Sequence, residues 1–375
     1  MIKLLKNMDY SIPILIIVLV IYGLIVISSA TSLEGSSLLN NPFLIRQVAA
    51  AFIGVFLVIF TLLFNYKILR DYSGIIYVFN ILLLLSVLLI GETIKGGQRW
   101  IMLGPVSFQP SELSKVLIII TLAHLLADDK FDFKTFKGWI IPSIHLSIPF
   151  LLILRQNDLG TALVLISIFV GMIYVAGASG KFLLGSGCVV AGGSFAWLYA
   201  HIHLGIPIPL QGFRLNRLLV LIDPQIDPLG SGYNVIQSMI AIGSGGFWGR
   251  GLFRGTQNRL RFLPERHTDF IFSVLGEELG FVGAIILLAL YFILIWKAII
   301  VANESQDDFG RLLVAGVVSM LAFHIFENIG MTIGIMPVTG LPLPFISYGG
   351  SSLITNLLAV GLIINVNIRR KKLLF

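Results

Sequence analysis

The chain has 375 residues, of which 57% are apolar and only 12% charged, and it carries a formal net charge of +7. A mean hydropathy of +0.94 lies far above that of soluble domains and excludes both a water-soluble globule and a disordered chain. The single Cys188 and six scattered histidines exclude an internal disulfide, thiol redox chemistry and a thiolate metal centre.

Lys3 and Lys6 precede an apolar run over 12–27. That run is long and no small-residue cleavage site follows it, so it is read as a retained first span rather than a signal peptide. Runs able to cross ~30 Å of hydrocarbon recur at 12–29, 44–64, 72–90, 108–127, 138–154, 159–177, 182–203, 269–299, 310–335 and 345–367. The expected fold is therefore all-α: a polytopic membrane protein of ten helices in which residues 1–375 form one bundle, with no linker or internal repeat. One set of span ends carries Lys3, Lys6, Lys67, Arg70, Lys130, Lys134, Lys137, Lys181, Lys297, Arg311, Arg369, Arg370, Lys371 and Lys372. The positive-inside rule places those ends, and both termini, in the cytoplasm and a long loop at about 205–268 outside.

Within the spans, ionisable residues are expensive and mark candidate sites. FQPSELSK (108–115) opens the fourth span. Pro110 suits a first helical turn, and Glu112 and Lys115, three apart, share a face and can pair. Such a pair either neutralises charge so that the helix inserts or belongs to a site. Asp158 in RQNDLGT (155–161) is either a helix N-cap or a site carboxylate.

The 205–268 loop holds Arg214, Arg217, Arg250, Arg254, Arg259, Arg261 and Arg266 against Asp223, Asp227 and Glu265. Two readings are open. The loop lies on anionic lipid headgroups, or it forms a site for an anionic ligand. Arginine supplies every positive charge, which suits bidentate phosphate recognition. A short apolar helix at 233–242 is read either as a lid or as a passive interfacial anchor.

Asp269 follows this loop at the start of the eighth span, where a carboxylate caps a helix or faces a headgroup at the water–lipid boundary. Deeper on that span, Glu277 and Glu278 imply a polar cavity or protonated carboxyls, and Gly280 and Gly283 would permit a bend. His324 and Glu327, three apart in the ninth span, are read as support for the same cavity. MPVTGLPLP (336–344), with three prolines and a glycine, is expected to be a rigid non-helical turn, and SYGGSS (347–352) a place of close helix approach.

GGQRWI (96–101), FQPSE (108–112), NDLGT (157–161), GSGG (243–246), GTQ (255–257), LPERHTDF (263–270) and PVTGLPLPFISYGGSS (337–352), in this order over essentially the whole chain, resemble the shape, elongation, division and sporulation (SEDS) family. GGQRWI and NIGMTIGIMP (328–337) look more like the rod-shape-determining member than the division member. The resemblance implies a peptidoglycan glycosyltransferase that polymerises lipid II on the outer face of the bacterial cytoplasmic membrane. It also implies a class B penicillin-binding protein as partner, with membrane lipids around the helices. It carries the family's essential aspartate onto Asp269, its acid and base onto Glu112 and Lys115, and its second aspartate onto Asp158.

On this reading Asp269 takes the proton of the acceptor 4-hydroxyl as that oxygen attacks the donor's anomeric carbon, in a single inverting displacement. Lys115, oriented by Glu112, would hold Asp269 or phosphate. Arg214, Arg217, Arg259 and Arg266 are the expected hands on the diphosphate. A divalent cation, Mg or Mn, would share that task, although the sequence reveals no ligand set for one. Nucleic acid is not an expected partner. Two other classes stand beside the enzyme: a lipid II flippase, against which no inverted repeat is visible, and a scaffold for the transpeptidase.

Overall fold

A computed structural model describes residues 9–32, 41–94, 97–104, 106–127, 131–133, 135–206, 213–228, 230–260 and 262–370. In chain order the helices are α1 (Ser11–Thr31), α2 (Pro42–Leu63), α3 (Lys67–Asp71), α4 (Ser73–Ile90), α5 (Pro110–Ala127), α6 (Phe136–Arg155), α7 (Leu159–Val175) and α8 (Gly180–Leu204). They continue with α9 (Phe213–Ile222), α10 (Ser231–Gly245), α11 (Thr256–Arg259), α12 (Ile271–Asn303), α13 (Asp308–Thr332) and α14 (Gly350–Arg369). Among the described residues nine helices are long and apolar enough to cross a membrane, and α7, apolar but only 17 residues long, falls just short of that length. The chain is a multi-pass membrane protein.

Boundaries follow local chemistry. Asn41 accepts from the Phe43 and Leu44 amides at 3.0 and 3.4 Å, with Pro42 behind it, and so starts α2. Asp307 starts α13 through the Gly310 amide at 2.7 Å. The centre of the bundle is α5, α13 and α14, which are buried over most of their length, whereas α2, α4 and α8 turn most of their side chains outward. Large apolar side chains such as Phe52, Phe56, Leu82, Leu89, Phe292 and Trp296 lie exposed, the arrangement that lipid rather than water demands.

Departing from an all-helical expectation, β1 (Glu92–Ile94), β2 (Gly97–Leu103) and β3 (Val106–Phe108) form an antiparallel meander between α4 and α5. Three-residue β1 and β3 are too short to leave a period-2 signature in sequence, and β2, GQRWIML, does not alternate polar and apolar residues. The 336–344 segment is non-helical, as its prolines predict.

The 205–268 region is not a bare loop. It folds as α9, α10 and α11. Helix α10, longer than the expected 233–242, packs on α12, and Ser238 Oγ lies 2.6 Å from both Ser273 Oγ and the Thr332 carbonyl. A small second core of Val220, Val235, Leu263, Phe270, Met331 and Val338 joins α9, α10, the 263–270 turn and the end of α13. Its members flank Arg217 and Asp269, so hydrophobic packing brings those two residues to one place.

Candidate active site

Asp269 lies at the end of a tight turn. Thr268 and Phe270 amides both bond to the Glu265 carbonyl, at 3.1 and 3.2 Å. Three successive carbonyls of this turn are then held from outside. Tyr348 N donates to the His267 carbonyl at 2.9 Å, Ser347 Oγ to that of Thr268 at 2.7 Å, and Asn328 Nδ2 to that of Asp269 at 2.8 Å. The His267 ring packs on Phe43 and Tyr348. The backbone carrying Asp269 is thus fixed by α13 and by the segment entering α14, and its half-buried carboxylate meets Gly340. A Cβ at Gly340, where φ is +79°, would come within 3.2 Å of Asp269 Oδ2, so only glycine combines that backbone with that approach.

Arg217, on α9, reaches the same stretch and donates from Nη1 to the Thr339 carbonyl at 3.3 Å. It lies within the electrostatic reach of Asp269, Glu327, Asp158 and Arg99. Burial pulls its pKa down, the Arg99 charge adds to that, and the three carboxylates oppose it. An arginine remains protonated under such a shift. Glu327, nearly inaccessible, accepts from Thr339 Oγ1, and its Oε2 has no hydrogen-bond partner among the described residues.

Asp158 caps α7 through the Thr161 amide at 3.2 Å and has further partners. Gln109 Nε2, Ser111 Oγ and Thr161 Oγ1 donate to its Oδ2 at 3.1, 3.0 and 2.9 Å, and Arg99 Nη1, from β2, lies 3.5 Å from its Oδ1. Asp158 is thus an N-cap that also carries the arginine. Lys115, fully buried, pairs with Glu112 at 2.9 Å and lies 2.9 Å from His324 Nε2. Its resolved partners are therefore Glu112 and His324, one on its own helix and one on α13.

The arginines divide. Arg217 is at the centre. Arg266 turns its Nε to the Ala30 carbonyl at 2.8 Å, and Arg259 is exposed at the end of α11. The Arg214 side chain lies outside the described residues. Arg99, within the GGQRWI stretch, and Thr339 are the site members that reading residue by residue did not single out. Glu277 and Glu278 are buried. Glu277 accepts from the Gln257 amide and Thr256 Oγ1 at 2.9 and 3.1 Å, and Glu278 from Ser29 Oγ at 2.7 Å. Near them α12 breaks at Gly280 (φ +66°), where its backbone pairs with the 246–251 loop through Arg250 N to Glu277 O and Phe281 N to Gly246 O. The two acids hold that inserted loop.

Among the described residues no three or more His, Cys, Asp or Glu side chains converge as a metal site. Beside the site, a cavity of about 360 Å³ runs between α2 and α14, from Arg46, Ser107 and Ser351 to Leu57 and Leu358.

The family model described as "Cell cycle protein", covering FtsW, RodA and SpoVE, matches residues 9–372. The chain is 36% identical to peptidoglycan glycosyltransferase MrdB of Escherichia coli strain K12, over 98% of this chain and 95% of that one. It is 32% identical to peptidoglycan glycosyltransferase RodA of Treponema pallidum, over 97% and 98%. A solved chain from a peptidoglycan synthase complex that coordinates polymerization and crosslinking superposes with a TM-score of 0.78 at 33% identity, over 97% and 99%. The rod shape determining protein RodA of Thermus thermophilus superposes at 0.71 with 29% identity, over 97% and 98%. Carrying the motifs in order, the helical bundle and this match along nearly its full length, the chain belongs to the FtsW/RodA/SpoVE family of SEDS proteins.

Proposed function

We propose that this chain is a peptidoglycan glycosyltransferase. It polymerises lipid II into β-1,4 glycan strands at the outer face of the bacterial cytoplasmic membrane, for cell elongation, beside a class B penicillin-binding protein. The observation that carries the reading is the meeting of Asp269 with Arg217 on the Thr339–Gly340 turn, in a chain whose relatives are named for this activity.

Asp269 is the general base. Its half-buried carboxylate removes the proton from the acceptor GlcNAc 4-hydroxyl while that oxygen bonds to the anomeric carbon of the donor MurNAc. The bond from that carbon to the diphosphate oxygen breaks in the same step, with inversion. Fixing three consecutive carbonyls around Asp269 holds the carboxylate in place before substrate arrives. Charge builds on the leaving diphosphate, and Arg217 and Arg99, both beside site carboxylates, are guanidiniums that would offset it. The apolar cavity between α2 and α14, with Arg46 at its polar mouth, suits the polyprenyl tail of a substrate whose headgroup lies at the site.

A flippase would need polar groups along a path through the bundle. Here Asp269, Arg217, Asp158 and Arg99 gather at one end of it, which supports transfer chemistry over transport. The test is glycan polymerisation from purified lipid II in liposomes, wild type beside Asp269→Asn, with and without the cognate penicillin-binding protein. Loss in a folded Asp269→Asn protein is expected. Equal activity in both removes Asp269 as base, and silence in the wild type with its partner present removes the glycosyltransferase reading.

A further inference from the structure

We propose that His324 is a positioning residue of this site and that Lys115 acts through it, by fixing the 339–342 segment, rather than by touching substrate. The inference rests on the reading of Asp269 as the reacting carboxylate.

Lys115 and His324 are both fully buried, on α5 and α13. An ammonium has only donors, so the nitrogen 2.9 Å from Lys115 Nζ, His324 Nε2, must accept. The imidazole proton then sits on Nδ1, which donates to the Pro342 carbonyl at 3.3 Å. Hydrogen bonds therefore run in one direction, from Lys115 to His324 to Pro342, while Glu112 balances the ammonium charge at 2.9 Å.

Charge balance alone requires only Glu112. The histidine adds a tie to the backbone beside Asp269. One turn further along α13, Asn328 Nδ2 donates to the Leu341 carbonyl at 2.7 Å and to the Asp269 carbonyl at 2.8 Å, and Glu327 takes the Thr339 hydroxyl. Gly340 lies between these anchors with Asp269 Oδ2 against it. Releasing Pro342 lets the segment that meets the carboxylate move, and a displacement of about 1 Å at a reacting group is worth on the order of 100-fold in rate.

The experiment compares His324→Leu, His324→Gln, Lys115→Met and the Lys115→Met/His324→Leu double variant in the polymerisation assay. His324→Leu should lower kcat about 10- to 100-fold with the KM for lipid II changed less than about threefold. Glutamine offers an acceptor to Lys115 and a donor to Pro342, so His324→Gln should recover kcat to within about fivefold of wild type. The double variant should be within about threefold of its more damaged parent, because both changes cut one chain. A raised KM with intact kcat in Lys115→Met, additive losses in the double variant, or a folded His324→Gln as slow as His324→Leu would overturn the proposal. Should His324→Leu fail to fold, His324→Gln and Lys115→Met still decide it.

One readout is independent of turnover. Nitrogen shifts of histidine-labelled protein, assigned by the loss of one signal in His324→Gln, should show a neutral ring protonated on Nδ1, and a proton on Nε2 sinks the relay. If Asp269→Asn retains activity, or the wild type has none, the glycosyltransferase reading fails while the tautomer still tests the relay.

Discussion

Asn328 Nδ2 holds the Asp269 carbonyl at 2.8 Å and the Leu341 carbonyl at 2.7 Å, so one buried amide joins the proposed base to the turn it faces. Both bonds use the two hydrogens of a single NH₂ group, which aspartate cannot supply. Asn328→Asp should therefore cost about 1–3 kcal/mol of stability through poorly satisfied buried carbonyls and an added buried charge. Activity should fall at least about 10-fold. Thermal unfolding in detergent and the polymerisation rate on the same preparation check both, and an unchanged rate in the folded variant sinks the link between Asn328 and catalysis.

Arg217 gives a prediction of a different kind, because it faces three carboxylates and a second guanidinium. If it receives the diphosphate, Arg217→Lys keeps the charge and loses the forked geometry, and Arg217→Ala loses both. The KM for lipid II should rise about 10-fold in Arg217→Ala and by a smaller factor in Arg217→Lys. A fall in kcat with unchanged KM in both would assign Arg217 to holding the Thr339 turn instead.

Asp158 tests whether the cap and the arginine contact are one function. Asparagine is as good an N-cap as aspartate, so Asp158→Asn should leave α7 intact while weakening the hold on Arg99. The expected result is a melting loss set by about 1–3 kcal/mol, because the new NH₂ cannot accept from Gln109 where Oδ2 did, together with a loss of polymerisation beyond what that destabilisation explains. A large melting loss with proportionate inactivation would make Asp158 a structural cap.

Much of this site was legible because polar residues are conspicuous in apolar sequence. Asp269, Asp158, Glu112 and Lys115 interrupt hydrophobic runs at the expected helix starts, and the prolines of 336–344 announce a non-helical turn. The pairings were not legible. Whether Lys115 meets Asp269 or His324 depends on how α5 and α13 rotate against each other, and helical spacing within one segment carries no information on that. Glu277 and Glu278 suggested a cavity since acids within a span need polar surroundings. Among those surroundings are the Thr256 hydroxyl and Gln257 amide, folded back about twenty residues along the chain onto Glu277, and the Ser29 hydroxyl of α1 on Glu278. Arg99 lay hidden in β2, whose sequence GQRWIML does not alternate polar and apolar residues.

Gly280 marks the inserted loop with a prediction of strain. It has φ of +66°, and a Cβ there would fall 2.3 Å from the Gly249 amide nitrogen. Gly280→Ala combines a left-handed backbone with a clash against main chain that cannot rotate away, and should cost at least about 2 kcal/mol. Gly74, where a Cβ would meet nothing within 4 Å, is the control. Gly74→Ala on α4 should be neutral or slightly stabilising.

At the opposite end of the bundle, Asp307 predicts a pH dependence unrelated to the reaction. It accepts from the Gly310 amide at 2.7 Å and Tyr66 Oη at 2.7 Å, with Lys67 Nζ at 2.9 Å. Burial alone would raise its pKa, but the Gly310, Tyr66 and Lys67 contacts together outweigh that and hold it below the ordinary 3.8. A depressed carboxylate stabilises the fold above its unfolded pKa, and that contribution is lost as pH falls through the lower folded value. Asp307→Asn keeps the cap and removes the charge, so the wild type should exceed it by about 0.5–1 kcal/mol at pH 7, a modest figure because Lys67 is half-exposed. The gap should close as the pH drops below about 4. Thermal unfolding of both proteins at pH 7 and pH 3 measures it, and a gap unchanged at pH 3 would show that the ion pair contributes nothing to the stability of this end of the bundle.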